Sequence, residues 1–471
     1  MGRNRLNSVL AGASVLIAFL ASAALSGACA GYSAFYGFPG TGNESPPKGA
    51  EPTAGLAYVG GAFYGTTSRG GNAQFNGYGG GVVFKLVKTS SGYTETVLHA
   101  FSGGKDGIFP GNGTPVLDAA GNVYGTTNGQ AEYDNEGISG CGIAANISCD
   151  TAWEVTPTKT GGSWQLLHRF TGGTDGIDPQ GGLLLNAKTG ALYGTTMFGG
   201  NKGCSGSAPY PIVGCGTAFE LAKGTRGWTK TKLYTFTGDA DGGVPAAALV
   251  ADPSGNGVVY GTASSGGSTS CSFGGRYCGV VFMLTPASKP PWKLTVLHSF
   301  SGGSDGAMPL AAMTIRSGAL YGTTSAGGDY NGYGCGALGG GTAFSIDIAT
   351  KKLTTLYAFK CGSDGGIPLG NLALDTGGNV YGTTSNEGAK TSNCGPDIGC
   401  GTVFKLTSQA KAPWPETHLH VFGGTADGGE PKAGLTIVSG QLYGTTLTGV
   451  RDSCTIAAFA PGCGGLFSVS P

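Results

Sequence analysis

Six aspartates stand in one recurring turn, GGxDG or a close variant, and their type and spacing could serve a binding chemistry. Carboxylates at six equivalent positions could form calcium or sugar sites. The alternative is structural, because Asp followed by Gly suits a tight turn in which Asp bonds its own backbone and Gly takes a positive φ. Equivalent turns in neighbouring sheets lie about 10 Å apart, too far for all six to share one calcium ion with its bonds of about 2.3–2.6 Å. The candidate binding residues are Asp106, Asp175, Asp241, Asp305, Asp364 and Asp427.

The histidines follow the same repeat. Four of the five occupy one position, His99, His168, His298 and His420, and Tyr234 and Tyr357 stand at the equivalent places in two further repeats. Interchange of His and Tyr indicates a half-buried site that needs an amphipathic ring, and His418 alone lies outside this register. The alternative is a catalytic or metal-binding histidine. We predict no metal site and no cofactor.

A third candidate set is aromatic and lies six to eight residues before the phenylalanine of the LHxF motif. These rings could stack on sugars, or they could cover the end of a hairpin. The set consists of Trp164, Trp228, Trp292 and Trp414, with Tyr93 in the equivalent place.

Catalytic signatures are missing from the sequence. It contains no HExxH, P-loop or EF-hand pattern. We therefore assign no catalytic residue.

The chain has 13 cysteines, and removal of Cys29 with an export signal leaves 12. CxxC spacings and neighbouring histidines, which a metal site would need, are missing, so we predict disulfides formed in an oxidising compartment. Cys335 and Cys361 form a sixth pair after five local ones are assigned. The local pairs are Cys141/Cys149, Cys204/Cys215, Cys271/Cys278, Cys394/Cys400 and Cys454/Cys463.

The elements that position these residues come from a phrase, YGTT or YGTA, that occurs seven times. Its tyrosines lie 60, 69, 67, 61, 60 and 62 residues apart, at Tyr64, Tyr124, Tyr193, Tyr260, Tyr321, Tyr381 and Tyr443. A period near 60 suits a four-stranded propeller blade with its loops. Each repeat contains a run after a proline, then YGTT, then a GTxF run, then LHxF. Their β-branched and aromatic residues predict strands, and no sustained helical periodicity is present.

The fold expected from this count is all-β, a single seven-bladed propeller over residues 31–471. The seventh repeat supplies only three strands, and residues 33–38 resemble the missing fourth strand. We therefore predict that residues 33–38 pair with residues 464–469 and close the ring without an exposed sheet edge.

Residues 1–30 are predicted to be a signal peptide, with a basic start, an apolar stretch and small residues at a cleavage site. The alternative is a lipid anchor at Cys29. Charges are sparse and balanced, 27 basic against 27 acidic, which argues against binding nucleic acid. No later segment is long and apolar enough to span a bilayer. We expect a secreted, periplasmic or cell-surface monomer.

The succession LHxF-x-GGxDGxxP, GxLYGTT and GTxFxL, repeated in this order over roughly residues 32–471, resembles the GloVer tandem-repeat family of exported bacterial proteins. The resemblance implies a propeller-like repeat fold. It implies no settled activity, and it supplies no catalytic residues.

Two functions remain open. The first is a non-enzymatic binding protein or cell-surface scaffold that recognises a carbohydrate or another protein through its variable loops. The second is an extracellular polysaccharide hydrolase or lyase with its site at the mouth of the central channel. The first is preferred, because every ionisable cluster lies at equivalent positions of the repeats, whereas catalysis usually needs a few singular, differently tuned groups.

Overall fold

The computed structural model describes residues 31–40, 48–71, 79–129, 150–200, 214–268, 270–272, 278–328, 335–391, 394, 399–450 and 462–471. These residues form seven four-stranded antiparallel sheets and one short pairing of Gly49–Ala50 with Arg69–Gly70. Each four-stranded sheet is one blade of a propeller, and the blades are numbered 1 to 7 from the YGTT phrases. The all-β, seven-bladed prediction is confirmed.

Each blade runs from a first strand near the axis to a fourth strand at the rim. The first strands are Ala57–Val59, Val116–Leu117, Leu184–Leu185, Val250–Ala251, Thr314–Arg316, Ala373–Leu374 and Thr436–Val438. The second strands are Ala62–Thr67, Val123–Asn128, Leu192–Thr196, Val259–Ala263, Ala319–Thr324, Val380–Thr384 and Gln441–Thr446.

The two outer strands of each blade are longer. The third strands are Val82–Thr89, Asp150–Pro157, Thr217–Gly224, Val280–Thr285, Thr342–Asp347, Thr402–Leu406 and Gly465–Val469. The fourth strands of blades 1 to 6 are Gly92–Ala100, Gly162–Arg169, Gly227–Thr235, Lys293–Ser299, Leu353–Ala358 and Glu416–Val421. The helices in the described residues are three short 3-10 turns, Gly173–Asp175, Gly336–Leu338 and Gly362–Asp364.

Strand bounds differ from the sequence motifs at both ends of the blade. The fourth strands begin well before LHxF, since their whole length pairs with a third strand. The first strands begin several residues after the proline, because the intervening residues line the central channel.

The glycine of YGTT is fixed by the phenylalanine opposite it. Gly65 pairs directly with Phe84 of the third strand, and a Cβ at this glycine would lie 2.5 Å from the ring. The equivalent distances in the other six blades are 2.4–2.7 Å, with Trp153 replacing Phe in blade 2. Only glycine fits beside these rings.

Two sets of contacts join each blade to the next. The phenylalanine that ends LHxF packs against the third-strand aromatic ring of the following blade, with ring centroids 5.0–5.7 Å apart at all seven contacts, Phe38–Phe84 included. The first threonine of YGTT donates to a backbone carbonyl of the following blade at 2.7–3.4 Å in blades 2 to 7. The last of these bonds runs from Thr445 to Ala54 O and crosses from blade 7 to blade 1.

The N-terminal strand Tyr32–Gly37 is the fourth strand of blade 7. Its register shifts at one residue, and Tyr36 pairs with Leu466 as His99 pairs with Val83 in blade 1. Phe38 then takes the place of the phenylalanine of LHxF and is fully buried. The predicted ring closure is confirmed.

Three predicted disulfides are present in the described residues, Cys271–Cys278, Cys335–Cys361 and Cys394–Cys400. Cys215 and Cys463 are also disulfide-bonded, but their predicted partners Cys204 and Cys454 lie outside the described residues, as do Cys141 and Cys149. The bonds indicate a compartment other than the reducing cytosol.

Candidate functional site on the loop face

Two kinds of loop meet on one face of the ring. One kind joins the second strand to the third, and the other joins the fourth strand to the next blade. Cys335–Cys361 connects one loop of each kind, and five isolated backbone bridges pair the same two kinds, such as Ile177 with Phe198. We call this the loop face.

The turn aspartates and the repeated His/Tyr position form pairs on the loop face. In each pair the ring nitrogen or hydroxyl lies within hydrogen-bond distance of the carboxylate seven residues later. The six pairs are His99–Asp106 (3.1 Å), His168–Asp175 (3.1 Å), Tyr234–Asp241 (2.9 Å), His298–Asp305 (3.0 Å), Tyr357–Asp364 (2.7 Å) and His420–Asp427 (3.2 Å). The histidine/tyrosine set and the aspartate set therefore form one set of pairs, and the constant spacing of seven residues is the sequence signal that connects them.

Each of these carboxylates also accepts a backbone N–H from four residues earlier, as Asp305 does from Ser301 at 2.9 Å. Burial alone would raise the pKa of Asp305, but hydrogen bonds from His298 and Ser301 outweigh it and hold the pKa below its ordinary value. The pKa of Asp427 is lowered in the same way by His420 and the N–H of Gly423. The pairs thus brace the turns, and a binding role for the six aspartates remains a prediction.

One fourth-strand position lies beside the His/Tyr–Asp pair of the preceding blade in blades 2, 3, 6 and 7, and beside Tyr36 of blade 7 in blade 1. We call it the junction position and define it by its pairing partner: Glu95 pairs with Leu86, Trp164 with Val155, Lys230 with Leu221, Leu294 with Leu284, Leu353 with Ile346, Glu416 with Leu406 and Tyr32 with Val469. Lys230 Nζ lies 2.8 Å from Asp175 Oδ1, and Tyr32 stacks on His420 with centroids 3.7 Å apart. No sequence motif marks this position, because its residue type differs from blade to blade.

The predicted set of aromatic residues, Trp164, Trp228, Trp292, Trp414 and Tyr93, does not occupy one structural position. Trp164 occupies the junction position and stacks on His99 with centroids 5.6 Å apart, so its grouping with the other tryptophans was wrong. Trp292 and Trp414 lie two residues before the junction position, and their backbone N–H groups donate to Leu233 O and Leu356 O of the preceding blade. Trp292 is buried. These contacts are packing between blades, and sugar stacking stays a prediction.

The residue directly before the repeated proline has a left-handed backbone in every blade. Such a conformation is uncommon for residues other than glycine and is an outlier for a β-branched one. The seven residues, which we call the mouth ring, are Glu51 (φ 54°), Phe109 (52°), Asp178 (61°), Val244 (57°), Met308 (55°), Ile367 (56°) and Glu430 (51°).

Backbone hydrogen bonds hold this strained conformation. The N–H of Ile367 donates to Gly340 O at 2.9 Å, and its carbonyl accepts from Ser385 N at 3.2 Å. All seven mouth-ring side chains are half-buried. The backbone of the mouth ring is therefore constant around the propeller, and its side chains differ in charge and size.

The mouth ring directly precedes the segments that line the central channel. The channel encloses a cavity of about 400 Å³ to which all seven blades contribute. Small residues dominate the lining, and its uncharged polar side chains are Thr53, Asn112, Thr114, Gln180 and Asn371. Of the described residues that line it, Lys432 is the one charged group and none is acidic.

Charged side chains gather where blade 7 meets blade 1, and we call Glu51, Arg69, Phe109, Glu430 and Lys432 the charged sector. Arg69 Nε lies 2.9 Å from Glu51 Oε2, and its guanidinium carbon lies 5.9 Å from the centroid of the Phe109 ring. Burial raises the pKa of Glu51, opposed by Arg69 and Lys432. Burial also raises the pKa of Glu430, where Lys432 opposes the shift and Glu51 adds to it.

The fold and this face define a seven-bladed propeller built from a self-bracing repeat, with its differing side chains gathered on the loop face. A family model described as the Gloeobacter/Verrucomicrobia repeat matches residues 145–395 and 271–470. The chain belongs to this family. A comparison with curated proteins finds no match.

Several solved structures are distantly similar. A glycoside hydrolase GH74 enzyme from Niastella koreensis has a TM-score of 0.45 at 15% identity over 82% of this chain and 47% of that chain. The Hadza microbial sialidase Hz136 has a TM-score of 0.39 at 11% identity, covering 77% and 65% of the two chains. The nidogen/laminin complex has a TM-score of 0.36 at 11% identity, covering 63% and 82%. This chain thus spans about half the length of the GH74 enzyme, and these low scores carry no functional weight.

None of the helices in the described part of the chain has the length and apolarity to cross a bilayer.

Proposed function

We propose that this protein is a non-enzymatic binding scaffold that recognises a carbohydrate or a protein segment at the channel mouth on its loop face. The mouth ring is the observation that carries the proposal. Seven strained backbone positions are equivalent in conformation, yet they present Glu, Phe, Asp, Val, Met, Ile and Glu. Strain of this kind costs of order 1–3 kcal/mol for each residue and is characteristic of functional surfaces.

The chemistry of the charged sector favours a polar ligand. Arg69, Glu51 and Glu430 offer hydrogen-bond donors and acceptors beside the exposed part of the Phe109 ring. A few polar groups next to an aromatic surface on a rigid scaffold provide orientation and specificity. The adjoining cavity of about 400 Å³ falls within the usual range for ligand sites.

The repeated ionisable pairs support binding over catalysis. The six turn carboxylates each have a hydrogen-bond donor within the same blade. Groups that are already engaged in bracing the scaffold are poorly placed to transfer protons to a substrate.

Array binding tests the proposal. The purified propeller is applied to glycan and peptide arrays beside an Arg69→Ala/Lys432→Ala variant and a Lys223→Ala control, whose side chain lies in a third strand beside Trp228. We expect selective binding by the wild type and the control, and loss of at least tenfold in the double variant. Equal binding by all three proteins would contradict a binding site in the charged sector.

An extracellular polysaccharide hydrolase or lyase is the second candidate, favoured by one observation. Glu51 and Glu430 are neighbouring half-buried carboxyl groups whose pKa values are both raised by burial, and paired carboxyls are the means of glycoside hydrolysis. Turnover of any polysaccharide that is abolished by Glu51→Gln or Glu430→Gln would establish this function and overturn the binding proposal.

We propose further that residues 1–30 are a signal peptide and that the mature protein is the monomeric propeller of residues 31–471. The disulfides support an oxidising location. N-terminal sequencing of the exported protein is the test, with a start near residue 31 expected. A lipid-modified N-terminus at Cys29 would instead establish the anchored form.

A further inference from the structure

The junction between blades 5 and 6 brings together three side chains that can each bind a metal ion. One atom each from Asp364, Glu416 and His418 lies within 4.8 Å of the others. Asp364 comes from the turn after blade 5, while Glu416 and His418 are two residues apart in the fourth strand of blade 6 and so lie on one face of it. We propose that these residues bind a divalent transition-metal ion, for which Zn²⁺ is the best match.

Glu416 supplies the evidence that a partner belongs in this site. Its Oε1 atom is buried and accepts no hydrogen bond from any residue that the structure describes, and the side chain is only 9% exposed. The ion pairs of Glu416 within the described residues are limited to His418, whose Nε2 lies 3.4 Å away. A buried carboxylate without a hydrogen-bond donor is costly, and a bound cation would offset that cost.

Two other junctions, in blades 1 and 3, have a cation from the chain itself. Glu95 holds the same register position in blade 1, and it accepts a hydrogen bond from Tyr36 at 2.6 Å and lies 3.6 Å from Lys48 Nζ. In blade 3 the junction residue is Lys230, which lies 2.8 Å from Asp175. Glu416 stands at the position of this lysine in blade 6. Two carboxylates, Glu416 and Asp364, therefore face each other where the junction of blades 2 and 3 has a lysine opposite an aspartate.

The donor set distinguishes between metals. One imidazole nitrogen with two carboxylates suits Zn²⁺, whereas Ca²⁺ takes six to eight oxygen ligands. Two ligands at about 2.1 Å from a tetrahedral ion lie about 3.4 Å apart, which matches the 3.4 Å between Glu416 Oε1 and His418 Nε2.

Outer contacts orient Asp364 for this role. Tyr357 Oη donates to its Oδ1 and Lys360 N donates to its Oδ2, both at 2.7 Å. A carboxylate has lone pairs left after two such bonds, and hydrogen bonds of this kind commonly position metal ligands. The ion would link the turn of blade 5 to the rim strand of blade 6.

The junction of blade 4 supplies the residues for two matched variants, one that should remove the metal site and one that should create a second site. Its junction also has a tyrosine–aspartate pair, Tyr234–Asp241, and Trp292 N bonds Leu233 O as Trp414 N bonds Leu356 O. Leu294 and Val296 stand there in place of Glu416 and His418. Each pair of side chains can therefore be exchanged for one that the scaffold already accommodates.

The test uses tag-free full-length protein stripped with EDTA, Zn²⁺ alone as the probe, calorimetry and elemental analysis. We expect saturable binding of one ion per chain, and Zn²⁺ should raise the melting temperature. The Glu416→Leu/His418→Val variant should lose at least tenfold in affinity and the thermal shift. The Leu294→Glu/Val296→His variant should bind a second ion, and His298→Tyr should bind as the wild type does.

Three results would overturn the proposal. They are no Zn²⁺ binding by the wild type below about 1 mM, undiminished binding by Glu416→Leu/His418→Val, and binding of Ca²⁺ in preference to Zn²⁺. If the double variant does not fold, Glu416→Gln is measured in its place, and full affinity in that variant counts equally against the site.

Discussion

The second strands and the mouth ring both recur in all seven blades. The second strands repeat the same residues in every blade, whereas the mouth-ring residues differ from blade to blade. In the second strand, Gly65 and its equivalents face an aromatic ring that leaves no room for a Cβ. In the mouth ring, hydrogen bonds to the backbone fix the conformation, and the half-buried side chains differ. The residue type is therefore the same in every blade where side-chain contacts determine it, and it varies where only backbone hydrogen bonds fix the conformation.

The junction positions lie between these extremes. Those of blades 2, 3, 6 and 7 lie beside a His/Tyr–Asp pair, but the residue there is a tryptophan, a lysine, a glutamate or a tyrosine. A varying position beside a constant pair can give one junction a chemistry that its neighbours lack. Lys230 and Glu416 differ in this way.

Deletion of residues 31–38 is expected to have the largest effect on stability. It removes the fourth strand of blade 7 and leaves the third strand, Gly465–Val469, as an open edge. Phe38 is fully buried, and burial of one such side chain contributes about 1.5–3 kcal/mol. We expect loss of cooperative unfolding or a fall of several kcal/mol in the free energy of unfolding, measured in urea. An unchanged midpoint would contradict ring closure by this strand.

The Gly382→Ala variant tests whether the aromatic ring opposite the second strand requires glycine there. A Cβ here would lie 2.5 Å from Phe404 Cζ and 2.9 Å from Leu372 Cδ2, and overpacking of this kind costs about 1–3 kcal/mol. Gly224→Ala is the control, because its Cβ would meet its nearest neighbour at 3.6 Å. Urea unfolding should place the control within about 0.5 kcal/mol of the wild type. Equal stabilities for all three proteins would contradict the steric explanation.

The turn pairs and the mouth ring should respond to pH in opposite directions. Burial would raise the pKa of Asp305, but hydrogen bonds lower it below its ordinary value. The contribution of Asp305 to the stability of the folded protein is therefore present above the unfolded pKa near 4 and is lost as pH falls through the folded pKa. Burial raises the pKa of Glu430, so its contribution is fully present below the unfolded pKa and is lost as pH rises through the folded one.

Two variants separate these contributions. Asp305→Asn should lower the melting temperature at pH 7, and the difference should shrink below pH 4. Glu430→Gln should raise it at pH 8, and that difference should vanish near pH 4. Differences that stay constant between pH 3 and pH 8 would contradict the assignment.

The smallest effect is expected at the mouth ring itself. Val244 has a φ of 57°, and Val244→Gly removes the strain of a β-branched residue while it loses a half-buried side chain. These changes oppose each other, and we expect stability within about 1 kcal/mol of the wild type by urea unfolding. A loss of more than about 2 kcal/mol would show that the side chain, not the backbone, holds this position.

The repeat predicted most of the fold because each element recurs with its neighbours in the same order. Residues 33–38 could be assigned to blade 7 because Phe35, Tyr36 and Phe38 match the spacing of LHxF. The left-handed backbone of Val244 and Ile367 could not be predicted, since their side chains oppose it and only hydrogen bonds to a neighbouring loop impose it. The approach of Glu416 to Asp364 depends on how the turn after blade 5 packs against a strand of blade 6, which a single sequence does not encode locally.

The most direct test replaces all seven mouth-ring residues with glycine. Glycine accepts the left-handed backbone at no steric cost, so this variant removes the differing side chains and keeps the conformation that positions them. Binding to glycan and peptide arrays is measured beside the wild type, with thermal unfolding as the check on folding. We predict a folded protein whose ligand binding is lost. A folded variant that binds as the wild type does would contradict the assignment of recognition to the mouth ring.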